Sequence, residues 1–141
     1  MNPGGSIKDR AAKFILQEAL DSGNLGEGGM VVEGTVGSTG IALALQARAK
    51  NCSCRIFMPD DTATEKSDLL VQLGCEVSRV PPVSIVNPKH FVNQARRLGT
   101  KKNTNAFFSD QFENLANFRA HYSETGPEIW RAANRAQLPI H

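Results

Sequence analysis

The loop Gly34-Thr35-Val36-Gly37-Ser38-Thr39-Gly40, set between a short apolar run and a strongly apolar helical segment, limits what this chain can fold into more than any other feature. Met30-Val31-Val32-Glu33 reads as a short buried strand, and the segment from about Ile41 to Lys50 as a helix. A glycine-rich turn from strand into helix leaves the first N–H groups of the helix unpaired and lets a carboxylate or phosphate approach closely, so this order predicts an anion site. The same glycines also suit tight strand-to-helix packing, and the residues alone leave both readings open. The loop is neither G-x-G-x-x-G nor a loop closed by Gly-Lys-Ser/Thr, which argues against a dinucleotide or nucleoside-triphosphate module.

The unit then repeats. Cys54 to Met58 is a strand closed by Pro59, and Asp60 to Thr64 offer caps for a helix whose apolar face is Leu69, Leu70 and Leu73. Gly74 ends that helix and Glu76 to Val80 alternates into a third strand. Asn87-Pro88 is expected to cap a further helix to about Leu98, with Phe91, Val92 and Ala95 inward, before a short strand at Ala106 to Ser109. Strands alternating with helices predict an α/β fold: a parallel sheet built by right-handed crossovers, with helices on its faces in a three-layer, Rossmann-like arrangement.

A chain of 141 residues suits one domain with a real core, and 40% hydrophobic with 21% charged residues is ordinary globular usage. The net charge of +2 is too mild for a nucleic-acid footprint. The most basic stretch, Lys89, Arg96, Arg97, Lys101 and Lys102, has no interleaved aromatic platform and reads as a solvated face. No apolar run is long enough to cross a bilayer and no secretory or other targeting segment is legible, so a cytoplasmic or mitochondrial location is expected, without membrane or nucleic-acid partners. The 3 cysteines, Cys52, Cys54 and Cys75, lack histidines at zinc-site spacing; they read as packing residues in a reducing compartment, and no metal site is expected.

The opening stretch carries the second chemical signal. In Asn2-Pro3-Gly4-Gly5-Ser6-Ile7-Lys8-Asp9-Arg10, proline biases Asn2 toward extended backbone, the glycines permit a tight turn, and Ser6 is a natural N-cap. Lys8 is thereby delivered to the start of a helix running from Asp9 to Ser22, whose inward face is Ala12, Ile15, Leu16, Ala19 and Leu20 and whose stop is Gly23. A lysine beside the positive end of a helix, if partly desolvated, suits Schiff-base chemistry. The alternative is a solvated charge paired with Asp9 or Asp21.

This stretch resembles the signature of the fold-type-II pyridoxal-phosphate enzymes, in particular the cysteine synthase and cystathionine β-synthase family and, within it, the fungal-type cysteine synthases. The resemblance implies that Lys8 is the catalytic lysine and holds pyridoxal 5'-phosphate as a Schiff base. Glu33 to Ile41 is similar to the family's second signature, which implies that Thr35, Gly37 and Thr39 bind the substrate carboxylate and that Ser38 faces the cofactor. Where the commonest form reads Ser-Gly-Asn-Thr-Gly, this chain has Val36 for the serine and Ser38 for the asparagine. A hydroxyl is shorter than an amide, which bears on cofactor polarisation and on substrate choice. Asp110-Gln111-Phe112 and the residues to Tyr122 resemble the third signature, implying that Gln111 joins the threonines on the carboxylate; without the resemblance Gln111 reads equally as a surface turn residue. His90 and His121 have no sequence partner that defines an acid–base pair and read as structural.

The resemblance runs to about residue 131, so residues 1–131 read as the front-middle part of the family's fold and 132–141 as an unrelated tail. In relatives a Gly-Thr-Gly-Gly-Thr phosphate cradle follows, and no such loop stands in these residues. The resemblance implies a parent enzyme forming L-cysteine from O-acetylserine and sulfide, as a homodimer. The alternative is a catalytically silent remnant that associates with a full-length relative.

Overall fold

Successive strand side chains point to opposite faces, so a strand buried on both sides must be apolar throughout. Val31 and Val32 on the first strand meet this condition by entering different cores. A computed structural model describes residues 2–137 of the chain. Strands β1 (Met30–Gly34), β2 (Ser53–Pro59), β3 (Glu76–Val80) and β4 (Ala106–Phe108) form one sheet in the order β3-β2-β1-β4, with every pairing parallel.

The helices are α1 (Lys8–Asp21), α2 (Ser38–Ala49), α3 (Thr64–Gln72), α4 (Phe91–Gly99), α5 (Leu115–Ala120) and α6 (Gly126–Ala136), with a π-helical turn over His121–Thr125 between the last two. On one face, α2 and α3 cover Val31, Cys54, Ile56 and Met58, and α1 packs chiefly on α2 and α5 outside them. On the other face, α4 covers Val32, Phe57, Val80 and Phe108. The chain steps outward from β1 to β3 and returns across the sheet to β4, which under right-handed crossovers puts α4 on the opposite face from α2 and α3. The expected α/β architecture with a parallel sheet is the one observed.

Local differences have local causes. Ser6 is not the residue before α1, which is Ile7; its hydroxyl accepts from the Lys8 N–H at 3.2 Å, the capping bond made one position early. Leu69 is 41% exposed, and Leu70 with the half-buried Leu73 carries the inward face of α3. Helix α4 begins at Phe91 because Asn87 closes a turn, accepting from the Lys89 N–H at 2.9 Å, while His90 caps the helix by accepting from the Val92 N–H at 3.3 Å. His90 is structural, as expected. Gly74 takes φ +89 after α3, a left-handed stop that a side chain would strain.

All three cysteines are buried. Cys54 and Cys75 each precede the Arg55–Glu76 register pair by one residue and share one core. A hydrogen bond with Cys75, followed by burial, pushes the Cys54 thiol well up. Helix α6 continues through the first part of the segment set apart at 132–141, and residues 138–141 lie outside the described residues. Among the described residues no helix is long and apolar enough to cross a membrane.

Candidate functional site

In open parallel sheets, ligands collect outside the carboxyl ends of the strands, where the strand order reverses. That place here is the gap between β1 and β4. β1 leads into Thr35 and the glycine loop; β4 leads into Ser109, Asp110 and Gln111. The two loops touch: the Thr39 hydroxyl donates to Gln111 Oε1 at 2.6 Å, across 72 residues of sequence. Thr35 and Thr39 are each only 7% exposed, and Thr35 Oγ1 accepts from the Gly37 N–H at 3.3 Å. Gly37 is the residue before α2, and a Cβ added there would meet no heavy atom within 4 Å. The loop is thus open above Gly37, and α2 begins at its far side with Ser38 half-buried. Thr39 and Gln111 are joined directly across the two loops, and Thr35 and Gly37 are joined within the glycine loop.

Glu33 had no predicted role. Its carboxylate is 1% exposed at the end of β1 and accepts three hydrogen bonds: from the Gly34 N–H at 2.8 Å, the Ser109 hydroxyl at 2.6 Å and the Gln111 N–H at 3.1 Å. Burial pushes its pKa up, the bonds from Ser109, Gln111 and Gly34 oppose this, and the nearby Asp110 carboxylate adds a smaller upward push. The sequence did carry a signal: a charged residue closing a strand that is otherwise buried must be paired where it lands. Asn114 and Asn117 finish the same turn, donating to the Ser109 carbonyl at 3.1 Å and the Gln111 carbonyl at 3.0 Å.

Lys8 stands half-buried at the first position of α1. The turn before it is clasped by Asp9, 4% exposed, whose Oδ2 accepts from the Gly4 N–H at 2.8 Å; Asp9 Oδ1 is buried without a partner. Gly5 closes that turn through its N–H to the Asn2 carbonyl at 2.9 Å. The expected alternative pairing of Lys8 is not seen: Asp9 is occupied by Gly4, and Asp21 accepts from Gln17 at 2.8 Å. Among the described residues no hydrogen bond joins the Lys8 side chain to Thr35, Ser38, Thr39 or Gln111; α1 reaches their loop through its packing on α2.

A cavity of about 260 Å³ borders this loop, lined by Val36, Gly37, Ser38, Met58 and Lys66 among others. A wider hollow of about 590 Å³ lies along the α1–α5 seam at Glu18, Asn114 and Arg119 and contains none of the predicted residues. Pyridoxal phosphate needs an amine for its aldehyde and hydrogen-bonding groups around its ring. Lys8, with no ion pair among the described residues, and the Ser38 hydroxyl beside the open Gly37 fit those two needs. The other glycine-rich loop, with Gly26, Gly28 and Gly29, leads into the start of β1 and so lies at the opposite end of that strand from Gly37.

Known proteins place these features in a lineage. The chain is similar to "Cysteine synthase 1" of Neurospora crassa, 50% identical over 130 residues that make up 92% of this chain and 34% of that protein. It is similar to "Cystathionine beta-synthase" of Apis mellifera at 39% identity, covering 93% of this chain and 26% of the relative. Among solved structures, a hydrogen sulfide-producing enzyme from Fusobacterium nucleatum superposes with a TM-score of 0.82 at 33% identity, over 94% of this chain and 42% of that one. The chain spans about a third of the length of the fungal relatives it matches. The sequence model described as "Pyridoxal-phosphate dependent enzyme" matches residues 1–139, and the chain belongs to that family.

Proposed function

We propose that this chain supplies the lysine and the carboxylate-binding loops of an enzyme that forms L-cysteine from O-acetylserine and sulfide, with release of acetate. The observation that carries the reading is the Thr39–Gln111 hydrogen bond, which joins two of the three motifs at the carboxyl ends of adjacent strands. The open N-terminus of α2 beside it offers N–H groups, that of Thr39 among them, to an α-carboxylate, with the Thr35 hydroxyl and the Gln111 NH2 as side-chain donors and the Thr39 hydroxyl orienting the Gln111 amide. Lys8 would hold the cofactor through its amine, and its free Nζ would be the base that takes the proton from the substrate α-carbon. Pyridoxal phosphate, when bound, supplies the electron sink for that deprotonation. Ser38 orients the ring from the glycine loop. The cysteine synthases among the relatives support this substrate class, and a homodimeric full-length protein in the cytoplasm or mitochondrion is the matching expectation.

The test is an absorbance spectrum of the purified chain with pyridoxal phosphate, with Lys8→Ala as control. A visible Schiff-base band lost in Lys8→Ala supports the reading; an equal band in both would remove Lys8 from its assigned role.

One observation favours a second reading, a silent chain held by a partner. Phe112, Phe118 and Tyr122 are 75%, 62% and 73% exposed, and Phe118 stacks on Tyr122 at 5.5 Å between ring centroids. Unpartnered apolar surface of this kind drives association. A cofactor-loaded monomer by sedimentation would count against that reading.

A further inference from the structure

We propose that Glu33 is a positioning residue that holds the Ser109-Asp110-Gln111 turn and so sets the Gln111 amide against Thr39. The proposal rests on the carboxylate site proposed above and assigns the group that builds it.

Gln111 lies in a turn whose preceding residue, Asp110, takes φ +48. That left-handed backbone is unfavourable for a residue with a side chain and persists only where its surroundings hold it. Asn114 and Asn117 grip the turn through carbonyls from its own downstream helix, at 3.1 and 3.0 Å. From β1, the strand that continues directly into the glycine loop, the Val32 carbonyl accepts from the Ser109 N–H at 3.0 Å, and Glu33 is the side chain that reaches on to both Ser109 and Gln111. It therefore fixes one carboxylate-binding loop relative to the other. The chemistry is specific to an ionised carboxylate: the Gly34 and Gln111 N–H groups can only donate, and Ser109 donates with them, so an acceptor with several lone pairs is required. A glutamine in its place would turn an NH2 toward one of these donors. The other titratable groups facing Glu33 are Asp110 on the turn and Cys54 on β2. Protonating Glu33 removes part of this acceptor capacity, so the placement of Gln111 is linked to the ionisation of a residue that never meets the substrate.

The experiment follows the Gln111 backbone amide by NMR through a pH titration of the native chain, Glu33→Gln and Ser109→Ala, with L-serine added separately as the carboxylate probe. In the native chain the Gln111 signal should move with a midpoint above the ordinary glutamate range. That titration should vanish in Glu33→Gln and shift to higher pH in Ser109→Ala, which removes a bond favouring the charged form. L-serine should bind Glu33→Gln roughly tenfold more weakly, the loss of about one charge-assisted hydrogen bond. A Gln111 amide that does not titrate in the native chain, or titrates unchanged in Glu33→Gln, overturns the positioning role even if the variant is less stable. Should Glu33→Gln not fold, an unshifted midpoint in Ser109→Ala overturns it instead. Failure of the native chain to bind L-serine overturns the carboxylate site, while the titration still decides the role of Glu33.

Discussion

Glu33 and Glu18 each join segments far apart in sequence, Glu33 reaching 76 and 78 residues to Ser109 and Gln111, and Glu18 reaching 101 residues to Arg119. Glu33 does so inside the protein, among neutral donors at the carboxyl end of the sheet. Glu18 does so on the surface, where α1 meets α5, with Arg119 as its ion-pair partner. Lys13–Glu124 at 3.1 Å and Arg10–Glu128 at 2.6 Å continue that surface seam toward the π-turn and α6. The environments move the two carboxyls in opposite directions: burial pushes Glu33 up, whereas the hydrogen bond from Arg119 holds Glu18 down. A buried acceptor fixes geometry because leaving its donors unpaired is costly; an exposed pair adds little because water replaces either partner.

The comparison breaks most severely at Glu33→Leu, which strands two N–H groups and a hydroxyl; it should lower unfolding free energy by about 3 kcal/mol in urea titrations. A loss below that of the surface variants would show that the β1–β4 gap is wet and adaptable. Next comes Gly34→Ala. An added Cβ would lie 2.6 Å from Val92 Cα and 2.9 Å from its N, so α4 must move; a loss of about 2 kcal/mol by thermal unfolding is expected.

Thr39→Val keeps the shape of the helix start and removes the donor to Gln111. It should cost about 1 kcal/mol in stability. Its larger effect should be on L-serine binding, read by the same NMR titration. The smallest effect belongs to the surface: a double-mutant cycle on Glu18→Gln and Arg119→Ala should give a small coupling that fades in high salt.

The signs of the pH dependence sharpen the same contrast. Glu33, with its raised pKa, contributes stability that is complete below the ordinary carboxylate range and is lost as pH rises through its shifted value. Glu18, held low, contributes stability present above that range and lost as pH falls. Stability measured against pH should therefore change in opposite senses in Glu33→Gln and Glu18→Gln, and slopes of equal sign would refute the assigned environments.

Much of this protein was legible from local pattern. The strand at Met30, the apolar helix α2 and the repeated strand–helix units follow from periodicity and turn chemistry, because those depend on neighbours within a few residues. The motifs around Lys8, Thr35, Thr39 and Gln111 were legible as short runs suited to turns, but their expected roles came from the resemblance; on its own residues Gln111 read equally as a surface turn residue. Boundaries were less so. Asn87-Pro88 resembles a helix cap, but the chain spends it on a turn and lets His90 cap α4, a choice set by where α4 must land on β1 and β4.

What only the tertiary structure decided was the meeting of elements distant in sequence. No spacing rule places β4 beside β1 rather than outside β3; the return crossover does, and it brings Gln111 to Thr39. Glu33 in the sequence is one charged residue after three apolar ones, with nothing nearby to name its partners. Its distant partners, Ser109 and Gln111, lie in the turn that follows β4, and desolvation makes their convergence matter, since a carboxylate removed from water must find donors wherever the fold supplies them.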